Sequence, residues 1–113
     1  MERGEIWWVD LPVPEGSEPG FPRPVLIVQA ASFNRSSINT VLVATVSTNL
    51  GLGDAPGNLL VYPEDSGLPE PSVVNVSQLL TINRRRLHAR TGQLSRPLLA
   101  LVDDGLRLVL ELG

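Results

Sequence analysis

The sequence predicts an α+β domain: a small, partly open antiparallel β-barrel, with a short helix after the second strand and a longer helix at the C-terminus. Three observations predict it. Short runs of β-branched and aromatic residues recur along the chain, joined by brief connections rich in glycine and proline, as strands closing into a barrel are. A segment of helical length with a start signal comes last, behind Ser95. The length of 113 residues suits one domain over 1–113, with a single core.

The first strand is Glu5-Ile6-Trp7-Trp8-Val9-Asp10-Leu11, which begins after Gly4 and stops at Pro12. Trp7 and Trp8 must face opposite sides of it, so at least one belongs to the core. A loop follows that carries Pro12, Pro14, Pro19, Pro22 and Pro24, whose fixed φ angles limit wandering, while Gly16 and Gly20 permit turns. Residues 24–29 and 39–47 read as two strands, so continuous in apolar and β-branched residues that both faces are buried. Residues 30–36 between them have room for a helical turn or two, with Asn39 available to end it.

Residues 48–58 have the glycine and proline content of a flexible surface loop. Leu59-Leu60-Val61-Tyr62, a turn over Pro63–Gly67, and strand-like runs at 72–76 and 78–82 follow. Ser95 is the N-cap of the last helix, with Arg96 and Pro97 in its first turn and the helical run ending at Leu110. Leu99, Val102, Leu106 and Val109 mark its buried face, and Gly105 leaves room for close packing against a strand.

Composition narrows the function classes. There is no cysteine, which removes disulfide frameworks and thiolate metal sites and fits a reducing compartment. The chain begins on charge, with Met1-Glu2-Arg3-Gly4-Glu5, and no window approaches the ~20 apolar residues of a membrane span, so the expectation is a cytoplasmic protein with no membrane partner. The net charge is −3, yet between Pro71 and Val102 there is no Asp or Glu, while Arg84, Arg85, Arg86, Arg90, Arg96 and His88 fall there. One region is basic inside an acidic protein, either an ordinary solvated surface or a phosphate-binding one. His88 is the only histidine and the acids are scattered, so no metal site and no cofactor is expected; His88 itself reads as a surface or turn residue.

The loop before the second strand holds Glu18 and, five residues on, Arg23. Pro24 biases Arg23 toward extended backbone, which projects its guanidinium from a strand edge. Taken alone, the pair reads as a hairpin loop with a surface salt bridge.

A wider pattern adds to that reading. Arg3-Gly4-Glu5-Ile6-Trp7, Val9-Asp10-Leu11, Gly16-Ser17-Glu18, Arg23-Pro24-Val25-Leu26, Phe33-Asn34-Arg35 and Thr40-Val41-Leu42-Val43 come in order, followed by Gly67-Leu68, Ser72-Val73-Val74, Gln78, Thr81-Ile82, Arg86-Leu87 and Gly92 with Leu94-Ser95. Over residues 3 to 112 the chain resembles the PemK/MazF family of toxin endoribonucleases. The resemblance implies an SH3-like PemK/MazF/CcdB-like barrel. It also implies a sequence-specific, metal-independent endoribonuclease toxin of a type II toxin-antitoxin system, cutting single-stranded RNA through its own 2′-hydroxyl. The implied partners are single-stranded RNA, a MazE-like antitoxin with an acidic tail, and a second copy of the chain.

RNA cleavage of this kind needs a group to remove the 2′-proton, stabilisation of the anionic phosphorane, and a proton for the leaving 5′-oxygen. The resemblance assigns Arg23 to the phosphorane, for which its fork of donors is suited. Glu18, five residues away on the same loop, is the candidate base where the loop folds back on Arg23. The resemblance makes Ser47 the cooperating hydroxyl, where the family usually carries threonine, with Thr48 next door as the alternative. Ser17, Asn34 and Gln78 offer donors and acceptors to base edges; Phe21, like Trp7 or Trp8, offers a stacking surface; Arg35, Thr48, Arg84 and Arg86 complete the expected RNA-binding set. Leu80 stands where family members often carry a basic residue. The alternatives are a non-catalytic toxin of the same fold binding DNA gyrase, as CcdB-type poisons do, and a degenerate member that only binds RNA or antitoxin.

Overall fold

The computed structural model of the chain describes residues 1–11 and 21–113; of Leu11 and Phe21 it describes the backbone alone. The elements run β1 (Glu5–Leu11), β2 (Phe21–Ile27), α1 (Ala31–Asn34), β3 (Thr40–Ser47), β4 (Leu59–Val61), α2 (Pro63–Ser66), β5 (Ser72–Asn83), β6 (Leu87–Gln93) and α3 (Arg96–Leu110). The strands form one antiparallel sheet in the order β4-β5-β3-β2-β1-β6, curled into a half-barrel with α3 laid against it.

Alternation along the central strands divides the core between the two faces of this sheet. Ile6, Leu26, Val28, Ala44, Val46, Val74 and Val76 point to one face and pack with Leu94 and Val102, against which Leu98, Leu99 and Leu106 of α3 lie. Val9, Val25, Ile27, Val41, Val43 and Ile82 point to the other, with Trp7, Leu80 and Leu87 beside them. Trp8 joins the helix side and Trp7 the opposite one, as neighbours on a strand must. Each fully buried Val, Leu or Ile contributes about 1.5–3 kcal/mol.

The helix is started by Ser95, whose Oγ accepts a hydrogen bond from the Leu98 amide, with a proline in the first turn. Arg3 fixes its middle to the sheet: Nε donates to the Val28 carbonyl at 2.9 Å and Nη2 meets Asp103 Oδ1 at 2.6 Å. The packed face is Val102 and Gly105, both buried, with Leu98, Leu99 and Leu106 partly buried beside them; Val109 is 42% exposed and lies outside it. Gly105 permits close packing as its sequence position suggests, but the partner is the Gly57 backbone of the β3–β4 connection rather than a strand, and a Cβ there would collide with the Gly57 carbonyl.

Two more expectations are corrected. Residues 48–58 contain a 3₁₀ turn, Leu50–Asp54, capped by Asn49 and tied down by Asn58, whose Nδ2 donates to the Leu52 carbonyl at 2.9 Å. The runs 72–76 and 78–82 are one strand, and Leu87–Gln93, which shows no strand pattern, forms the edge strand β6. Gly67, at φ 76°, lets the end of α2 press onto β6, and Thr91 Oγ1 donates to the Gly67 carbonyl at 2.7 Å. This contact draws the β4 and β6 edges of the sheet toward each other.

Candidate functional site

The site lies at the end of the sheet where β2 begins and β3 ends, its larger cleft on the face that α3 does not cover. The β2–β3 ladder pairs Ile27 with Val43 and Val25 with Thr45. Two residues further in the same register fall Arg23 and Ser47, so their side chains emerge on the Thr45 face although they are far apart in sequence. Both line a cleft of about 750 Å³ with Pro24, Thr45, Leu52, Gln78, Leu80, Ile82, Asn83 and Arg86. Both also line an adjoining cavity of about 220 Å³ with Trp8, Thr48, Leu68, Glu70 and Ser72. Arg23 and Ser47 therefore stand where two cavities meet, with a fixed positive charge and a hydroxyl facing the same space.

The local geometry is prepared by hydrogen bonds. Ser47 Oγ accepts from the Asn49 amide at 3.0 Å, which anchors the oxygen and leaves its own proton to donate. Asn75 is buried, and its Oδ1 accepts from the Ser77 amide at 3.1 Å and from Ser77 Oγ at 2.6 Å. Asn58 Oδ1 accepts from the Val76 amide at 2.9 Å. These asparagines hold an irregularity of β5: Ala44 pairs with Leu79 but Thr45 with Asn75, so Val76, Ser77 and Gln78 intervene without partners on β3. The irregularity puts Gln78 over Thr45, whose Oγ1 donates to Gln78 Oε1 at 3.0 Å.

Of the residues assigned from sequence, Arg23, Ser47, Gln78 and Arg86 line the larger cleft, and Thr48 lines the smaller cavity with Arg23 and Ser47. Glu18 and Ser17 lie outside the described residues, as does the side chain of Phe21. Asn34 is buried and its carboxamide is engaged at both ends by Gln29, accepting from Nε2 at 3.0 Å and donating to the carbonyl at 2.9 Å. Arg35 is the exposed C-cap of α1, and Arg84 Nη2 donates to the Phe33 carbonyl at 2.9 Å. None of Asn34, Arg35 and Arg84 is among the described residues that line the two cavities.

The basic stretch is partly neutralised. Asp10 Oδ2 meets His88 Nε2 at 2.6 Å, Arg86 Nη1 donates to the Asp10 carbonyl at 3.2 Å, and Glu5 Oε2 meets Arg90 Nε at 3.3 Å. Sequence reasoning missed Glu70, the one carboxylate among the described residues that line these two cavities. A signal for it existed. Glu70 stands between Pro69 and Pro71 as Arg23 stands between Pro22 and Pro24, and both frames restrict the backbone that presents a charge. Among the described residues no three His, Asp or Glu come together as metal ligands would.

Comparison with known proteins shows what the whole chain is similar to. A family model described as PemK-like, MazF-like toxin of type II toxin-antitoxin system matches residues 2–110. The chain is 41% identical over 112 residues to Endoribonuclease MazF6 of Mycobacterium tuberculosis (strain ATCC 25618 / H37Rv), covering 99% of this chain and 98% of that protein. It is 30% identical over 112 residues to Endoribonuclease EndoA of Bacillus subtilis (strain 168), covering 99% and 96%. A mycobacterial endoribonuclease solved in complex with its cognate antitoxin shares the fold, with a TM-score of 0.78 over 100% of this chain and 97% of that one, at 22% identity. The named relatives are endoribonucleases, which does not favour the gyrase-binding alternative.

Proposed function

From the premise that the chain belongs to the PemK-like, MazF-like endoribonuclease toxins of type II toxin-antitoxin systems, we propose that it cuts single-stranded RNA at the junction of its two cavities, sequence-specifically and without a metal. The observation that carries this reading is the meeting of Arg23 and Ser47 on one face, each lining both cavities. The 2′-hydroxyl of the substrate attacks the adjacent phosphorus. Negative charge grows on the phosphoryl oxygens, where the Arg23 guanidinium supplies paired donors and Ser47 one hydroxyl donor. The bond to the 5′-oxygen breaks as that oxygen gains a proton, leaving a 2′,3′-cyclic phosphate and a 5′-hydroxyl.

A carboxylate takes the 2′-proton. Glu18 is the candidate by its place five residues before Arg23 in sequence, and Glu70, which shares the smaller cavity with Arg23 and Ser47, is the second candidate. The same reading extends to partners: a MazE-like antitoxin whose acidic tail competes with RNA for the cleft, and a second copy of the chain, for which exposed Leu101, Leu108, Leu110 and Leu112 supply apolar surface. Its place of action is the cytoplasm; none of its described helices is long and apolar enough to cross a membrane.

The test is incubation with a long mixed-sequence RNA in excess EDTA, beside Arg23→Ala, with mapping of fragment ends. Discrete cuts ending in 2′,3′-cyclic phosphate, lost in the variant, are expected. Cleavage that requires added metal, or that survives Arg23→Ala unchanged in a folded protein, contradicts the mechanism.

A further inference from the structure

We infer that the Thr45–Gln78 pair reads one RNA base beside the scissile phosphate and selects a base with a carbonyl oxygen at C4 or C6, uracil or guanine, over one with an amino group there, cytosine or adenine. The inference deepens the nuclease reading and rests on it.

Both side chains line the larger cleft with Arg23 and Ser47, and Thr45 lies two residues before Ser47 on the same face of β3. Gln78 is exposed on a strand irregularity that Asn58 and Asn75 hold from behind, through hydrogen bonds to the Val76 amide and to Ser77. Its backbone position is therefore fixed before any ligand arrives. Its carboxamide is held as well: Thr45 Oγ1 donates to Oε1 at 3.0 Å. A free glutamine presents an acceptor and a donor and serves any base by turning over. Here Thr45 engages the acceptor, which leaves the Nε2 donors for a ligand in the cleft that Gln78 lines.

Donors of this kind match the O4 of uracil or the O6 of guanine. Cytosine and adenine place the N4 and N6 amino groups at the same edge, setting donor against donor. A site built to hydrogen-bond one group rejects an analogue that leaves its polar atoms unpaired more strongly than an apolar pocket rejects a change of size. Thr45 is thus a positioning residue and Gln78 the reading one.

The experiment measures cleavage of an RNA pool randomised around one cut site by the parent, Gln78→Glu and Thr45→Val, taking for each protein the ratio of carbonyl to amino bases at every position. The parent should favour uracil and guanine by roughly tenfold or more at one position near the cut, the size of one base contact. Gln78→Glu offers acceptors alone and should invert the ratio at that position and no other. Thr45→Val frees the amide to turn and should bring the ratio there close to one. A parent that favours amino bases at that position, or a ratio that Gln78→Glu leaves unchanged, overturns the inference while the nuclease reading stands. A parent that cuts no RNA overturns both.

Discussion

The two faces of the central sheet do different work with the same strands. Along β3, Leu42, Ala44 and Val46 turn toward α3, while Thr45 and Ser47 turn toward the cleft. The helix side is closed and apolar, and so tight at Gly105 that the backbone of Gly57 meets it directly. The other side is also apolar where Val25, Ile27, Val41 and Val43 are buried, but toward Arg23 and Ser47 it opens into a cleft with polar groups, shaped by an irregularity of β5 that leaves three residues without partners on β3. The difference teaches that stability and activity are separated at one end of the sheet: between Ala44 and Ser47 a one-residue shift along β3 moves a side chain from the core to the site, while further back Val41 and Val43 bury the same face.

Substitutions on each face should separate accordingly. The largest effect is expected at Arg23→Ala, which removes the charge facing the phosphorane: single-turnover cleavage should fall by about 10²–10³-fold, as when one oxyanion donor is lost, with a thermal midpoint lowered by far less than at a core position, because Arg23 is exposed. Gly105→Ala should do the reverse, costing about 1–3 kcal/mol by overpacking and lowering the midpoint several degrees in a thermal melt, with the cleavage rate of the folded protein intact. A drop in cleavage as large as that of Arg23→Ala, measured well below the melt, would break the separation.

Asn75→Ala sits between the two faces and sharpens the comparison. Loss of its hydrogen bonds to Ser77 should cost about 1 kcal/mol and should also relax base preference, because the chain that carries Gln78 is released. Smallest in its effect on cleavage is Arg90→Gln, which removes an ion pair of half-exposed Arg90 with buried Glu5; Glu5 keeps hydrogen bonds from the Glu2 amide and Trp7 Nε1, so about 1–3 kcal/mol of stability and little cleavage should be lost. If instead Arg90→Gln weakened cleavage as Arg23→Ala does, the basic stretch rather than the β2–β3 junction would be the site.

Much of this was legible in the sequence, for physical reasons. β1 carries an aromatic and β-branched run between Gly4 and Pro12, β2 and β3 carry the apolar and β-branched runs Val25–Val28 and Val41–Val46, and the Ser95 cap with Pro97 in the first turn marks the start of α3. β6 was not legible, because Leu-His-Ala-Arg-Thr-Gly-Gln is an edge strand held by pairing with β1 and by α2 at Gly92, not by an apolar pattern of its own. Ser77 and Gln78 interrupt the apolar run of β5 and so made one strand look like two, yet that interruption is what presents Gln78. Helical periodicity placed Val109 on the buried face since it does not encode what packs against the helix. Arg23 and Ser47 were named from resemblance; their shared place at two cavities is a property of register, which no local pattern encodes.

The central claim is that Arg23 and Ser47 act on one phosphate. A double-mutant cycle of Arg23→Ala and Ser47→Ala, read as single-turnover cleavage of one RNA in excess EDTA, tests it most directly. The account predicts that the double variant is little slower than Arg23→Ala alone, a coupling of roughly 0.5–3 kcal/mol, as residues sharing one partner show. Effects that simply add would contradict it, assigning the two residues to separate tasks.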